Sequence, residues 1–193
     1  MTPFDLSRFA GWAAYVSGIT TVLGVVTLFA FFAVGEPFGT INDLSSIVIA
    51  LSMIVILFEL DSLHRPVAPV VSLVVLIVGV IAMLVAVVFQ TLLVLQVIEF
   101  AQTAVIVPLA FGVFGAALMI YSYLSLTSQS LPRGLAVLGI IAGASYILVI
   151  TGFFLNPEGE HPLTIIGGLL ILIGYPIWAI WFGRLLLAGR LAP

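Results

Sequence analysis

Acid, imidazole and guanidinium crowd together in one place in this chain, the stretch Phe58-Glu59-Leu60-Asp61-Ser62-Leu63-His64-Arg65-Pro66. Glu59, Asp61, His64 and Arg65 are side chains that move protons or hold ion pairs, and ionisable groups beside lipid are costly enough to be functional candidates by default. Asp61 precedes Arg65 by four residues, the better order for an ion pair along a helix. Two roles compete for this polar cluster, which reads as a short turn at a membrane surface. It is either a proton-sensitive or partner-docking site, or a set of ion pairs that pins the turn at the headgroups. Closeness to water favours the second reading.

Other constellations carry less chemistry. Glu158, Glu160 and His161 form an oxygen-rich loop that could take a surface cation, but charge runs in loops usually face water. His64 and His161 fall on opposite faces of the bilayer, about 30 Å apart, and cannot share an ion. Gly143-Ala144-Ser145-Tyr146 resembles a glycine-flanked nucleophile, yet no base is available to Ser145 at that depth. Ser145 is expected to be a small interhelical contact. Cysteine is absent, which excludes disulfides, iron–sulfur clusters and thiol catalysis. The chain also has no lysine, and so no Schiff base to retinal or pyridoxal phosphate. No catalytic residue, cofactor site or metal site is expected, and the chain is read as a non-enzyme.

The elements that position these residues are apolar spans. The 193 residues are 63% hydrophobic and 7% charged, with a mean hydropathy of +1.39, too little polar surface to solvate a compact core in water. The apolar runs are about twenty residues long, which suits helices crossing a bilayer and not the short alternating strands of a barrel. The expected fold is all-α: a polytopic membrane protein, six transmembrane helices in one bundle, a single domain over residues 1–193. The first run is too long for a signal-peptide core and is expected to stay as a span.

Spans are placed at about residues 9–34, 44–63, 67–89, 104–126, 135–155 and 163–187. In the first, Ala10, Ala14 and Gly18 recur every four residues, a small-residue stripe on which another helix can lie closely; Gly139 and Gly143 do the same in the fifth. Gly35 to Thr40 reads as a loop, with Thr40 or Asn42 capping the second span. Residues 90–103 add Gln96, Glu99 and Gln102 at three-residue steps. They either extend the third helix beyond the bilayer before a turn, the favoured reading, or form an amphipathic helix on the surface. Pro176 is expected to kink the sixth span.

Six spans put Arg8, Arg65, Arg133, Arg184 and Arg190, every basic residue in the chain, on one side. The other side holds Glu36, Asp43, Glu99, Glu158 and Glu160. Positive charge stays inside, so both termini are expected in the cytoplasm, with the chain in an inner (plasma) membrane. A net charge of −3 without a basic tract gives no reason to expect nucleic acid as a partner. The lipid bilayer is the expected partner, with a membrane-protein partner or a second copy beside it.

Leu131-Pro132-Arg133-Gly134-Leu135, Leu138-Gly139, Ala142-Gly143, Tyr175-Pro176-Ile177-Trp178 and Gly183-Arg184 resemble the second half of small bacterial six-helix membrane proteins grouped as a domain of unknown function. That resemblance implies a bacterial inner-membrane setting and no activity. Three functions are therefore weighed. The first is a non-enzymatic accessory or helix–helix interaction protein, whose small-residue stripes dock partner helices. The second is a small-solute carrier: the size, the six helices and the Ala10/Ala14 stripe resemble the substrate-capture subunit of energy-coupling-factor importers, in which such a stripe meets a coupling subunit. A long outer loop of specificity residues is missing here unless 90–103 serves. The third is a binder of an apolar ligand such as a carotenoid or quinone, which needs only an apolar groove.

Overall fold

In the computed structural model, which describes residues 3–156 and 161–191, every regular element is an α-helix. These are α1 (Pro3–Val34), α2 (Phe38–His64), α3 (Pro69–Val94), α4 (Phe100–Thr103), α5 (Ile106–Ser128), α6 (Arg133–Leu155) and α7 (Pro162–Leu187). Six segments are long and apolar enough to cross a bilayer, α4 and α5 counting as one. The chain is an all-helical membrane protein.

Start and stop signals are local. Pro69 and Pro162 open α3 and α7, where a missing N–H costs nothing, and His161 Nδ1 accepts from Leu163 N at 3.2 Å at the head of α7. Neither Thr40 nor Asn42 caps α2: both lie inside it, because the Glu36 carboxylate accepts from Thr40 N (3.2 Å) and lets the helix begin at Phe38. α3 runs on to Val94 and stops in a Schellman turn, with Gln96 left-handed at φ 57°, Gln96 N bonded to Leu93 O and Val97 N to Leu92 O. Glu99 and Gln102 then form a capping box around α4. The three-residue spacing of Gln96, Glu99 and Gln102 thus records one helix stop and one helix start.

Each span packs on its neighbours in sequence, and α7 returns to α1, so the six close into a ring. Gly11 near the start of α1 faces Gly183 and Leu187 near the end of α7, and Gly24 faces Ser45 of α2, so neighbours run antiparallel. The short turns 65–68 and 129–132 therefore share an end of the bundle with the start of α1 and the end of α7. All five arginines sit at this end.

Lipid is as apolar as leucine, so packing and not burial from solvent must hold the helices together. Two devices do this. Glycines bring backbones close: a Cβ on Gly115 would lie 2.6 Å from Gly143 O, and one on Gly183 would lie 2.7 Å from Gly11 O. Aromatic rings fill the middle: Phe111 stacks on Tyr146, Tyr146 meets Phe114 and Tyr175 edge-on, and Tyr175 stacks on Trp178, which stacks on Phe182 at 5.0 Å between centroids. Val70, Val74, Ile77, Ile81, Leu84 and Val88 of α3 face outward, where acyl chains solvate them.

Candidate functional site

Successive residues of a helix turn by about 100°, so Glu59 and Asp61 project about 200° apart while Asp61 and Arg65 share a face. A cluster compact in sequence is therefore dealt out to three different neighbours. The segment is the last turn and a half of α2, not a solvated turn, and its acids and imidazole are inside the bundle: Glu59, Asp61 and His64 expose 1%, 3% and 0% of their surface. The turn proper begins at Arg65.

Glu59 points to α1 and accepts a hydrogen bond from Ser7 Oγ at 2.7 Å. Asp61 points to α3. Its Oδ1 accepts from Ser72 Oγ (2.7 Å) and its Oδ2 from Arg65 Nη2 (2.5 Å), with the guanidinium reaching outward, about half exposed. Both oxygens of the carboxylate are occupied, which is what a charge in a low-dielectric setting requires. Tyr121 on α5 donates to the backbone carbonyl of Ser72 at 2.8 Å, tying α5 to α3 at the same level.

His64 points to α5. Its Nδ1 lies 2.7 Å from Leu60 O and its Nε2 lies 2.7 Å from Ser125 Oγ, while Ser125 Oγ lies 2.9 Å from Tyr121 O. A carbonyl only accepts, so Nδ1 carries a proton. If Nε2 carries one too, it donates to Ser125 and the serine donates to Tyr121 O. If Nε2 is bare, the hydroxyl swings round and donates to it. Rotation of one hydroxyl gives Nε2 a partner in either protonation state, so the ring can take up a proton without losing that hydrogen bond. Tyr121 faces this ring at 5.3 Å between centroids and Asp61 acts on it electrostatically from the same helix, with Arg65 next in the turn, while Arg133 and Arg190 line a cavity that Ser125 also lines.

No family model, curated protein or solved structure matches this chain. What the chain does must therefore be argued from its own geometry.

The remaining candidates fall elsewhere. Ala10 and Ala14 are fully buried and Gly18 packs against Pro176 O and Ala179, so the stripe on α1 is covered by α7. Gly139 meets Ser122 and Trp178, and Gly143 meets Gly115 and Met119. Both small-residue faces are consumed inside the ring, and neither is open to a partner helix. Ser145 donates to Ile141 O at 2.7 Å within its own helix. Glu158 and Glu160 lie outside the described residues, and among those described no three His, Asp or Glu side chains gather as metal ligands. Sequence reasoning missed Ser7, Ser72, Tyr121 and Ser125. Their signal was faint: common small polar residues and a tyrosine, each within two turns of a helix end at the arginine side.

Proposed function

We propose that this chain is a non-enzymatic accessory protein of the membrane whose conformation at the arginine end responds to protonation of His64. One observation carries the reading: a fully buried imidazole hydrogen-bonded across two helices, with a serine hydroxyl able to serve it in either charge state. Ionisable groups placed inside a bundle at membrane depth are rarely ornamental. Around His64, the bonds from Ser7 to Glu59, Ser72 to Asp61 and Tyr121 to Ser72 join α1, α2, α3 and α5 at a single level. A charge gained at the centre of that mesh bears on four helices. The segregation of arginines supports the further reading that this end faces the cytoplasm, in an inner membrane.

The absence of cysteine makes the test clean, since one introduced thiol is the only label site. In the chain reconstituted in zwitterionic nanodiscs, the labelling rate of Ser62→Cys, divided by that of a free thiol at the same pH to remove the thiol's own ionisation, should change through a single transition as the pH is lowered. His64→Gln should abolish the transition. Ser125→Ala should displace its midpoint, and Glu59→Gln, on the other side of α2, should leave it in place. A transition that survives in His64→Gln, or none in the parent chain, ends the proposal.

A further inference from the structure

Beside the His64 network lies a cavity of about 740 Å³, bounded by the end of α5, the turn to α6 and the residues after α7. Three backbone features shape it. Gln129 ends α5 in the left-handed conformation at φ 59°, its N–H on Ser125 O. α6 then begins at Arg133 with Pro132 as N-cap and no side chain capping it, so its first N–H groups keep their donor capacity. At the other wall Gly189, at φ 62°, closes α7 in a Schellman turn: Gly189 N bonds Leu186 O and Arg190 N bonds Leu185 O. That turn sends Arg190 back toward Arg133.

Arg133 and Arg190 both line the cavity, together with Gln129, Ser130 and the buried Ser125, and Leu126, Leu131 and Val137 supply apolar lining. Among the described residues no carboxylate lines it, although the chain as a whole carries net charge −3. Two like charges held at one cavity without an acid between them repel each other, and the natural relief is an anion. Paired arginines present forked donors matched to phosphate oxygens, and the open N-terminus of α6 adds N–H groups of the same sense.

We propose that this cavity binds a phosphate group, with Arg133 and Arg190 as its two cationic ligands. The inference does not depend on the His64 reading, since its two cationic ligands and its test are different, although Ser125 is common to both. The phosphate can come from an anionic lipid headgroup, whose acyl chains would run along the apolar side, or from a free phosphate compound in the aqueous phase.

The experiment measures thermal stability of the full chain in nanodiscs in three conditions: phosphatidylcholine alone, phosphatidylcholine with phosphatidylglycerol, and phosphatidylcholine with inorganic phosphate titrated in. Stabilisation by phosphatidylglycerol alone identifies a lipid headgroup; stabilisation by inorganic phosphate identifies a soluble ligand. Arg133→Gln and Arg190→Gln should each weaken the responding ligand about tenfold or more, the usual worth of a charge-assisted hydrogen bond. Arg184→Gln removes the same charge from the same end but away from the cavity and should leave affinity unchanged. Both cavity arginines are exposed, so the substitutions leave the core intact. No stabilisation in either condition, or equal weakening by all three substitutions, overturns the proposal.

Discussion

Arg65→Leu should destabilise the chain by about 3 kcal/mol, and adding Asp61→Asn to it should restore most of that loss. The pair is asymmetric: the guanidinium is about half in contact with the surroundings, while the carboxylate is 5% exposed. Removing the arginine strands a buried charge with Ser72 as its remaining donor in the site, and breaking a buried pair from one side costs roughly 3–5 kcal/mol; the lower end applies because a cleft lined by Leu6, Phe58, Ser62 and Pro66 admits water beside Asp61. Once Asp61 is also neutral there is no charge left to strand, and the amide oxygen still accepts from Ser72. Reversible unfolding in mixed micelles gives both numbers. Additive losses in the double variant would show that Asp61 is neutral in the native chain or that water already satisfies it, and the ion-pair account would fall.

That asymmetry also marks what sequence reading could and could not see. The count of spans and their apolar character follow from run length, because a bilayer sets a minimum that no soluble helix needs. The pairing of Asp61 with Arg65 follows from helical spacing alone. Which wall of α2 each neighbour occupies does not. Glu59, Asp61 and His64 look like one cluster in print, and only the order of helices around the ring decides that they meet α1, α3 and α5 respectively. Their partners carry no pattern a linear reading can use, since Ser7, Ser72 and Ser125 are the kind of small polar residue found throughout membrane helices. Arg133 and Arg190 are further apart still along the chain, and they converge because α7 returns past the start of α6. The small-residue stripes misled in the opposite direction. Ala10, Ala14 and Gly18 lie against α7 of this same chain, and periodicity does not distinguish a helix of the same chain from one of another.

The two polar features at the arginine end touch through a single side chain. Ser125 is the hydroxyl that serves His64 Nε2 and also lines the cavity that Arg133 and Arg190 line. A ligand that drew the serine toward the cavity would compete with the imidazole for it, so protonation and anion occupancy would be linked with equal strength in both directions.

Gly143→Ala should cost about 2 kcal/mol or more, although alanine is the better helix former. Gly115 and Gly143 face each other where α5 crosses α6. A methyl on Gly143 would run into Gly115 O and sit 2.5 Å from Met119 Cγ and 3.1 Å from Met119 N, while one on Gly115 would lie 2.6 Å from both Gly143 O and Tyr146 Cβ. Two of the three obstacles to a methyl on Gly143 are main chain, so no rotamer change relieves the overlap and the helices must separate, which in a packed interior costs about 1–3 kcal/mol. Separation also pulls Tyr146 off Phe111, Phe114 and Tyr175, the ring contacts that join α5, α6 and α7. Gly168→Ala supplies the contrast. Nothing lies within 4 Å of the added methyl there, and replacing a mid-helix glycine should raise stability by about 0.5–1 kcal/mol. Thermal unfolding of the two single variants beside the parent chain measures both effects. Equal shifts in the same direction would mean that helix propensity, not the approach of two backbones, governs this crossing, and the close-packed ring described above would be wrong at its tightest point.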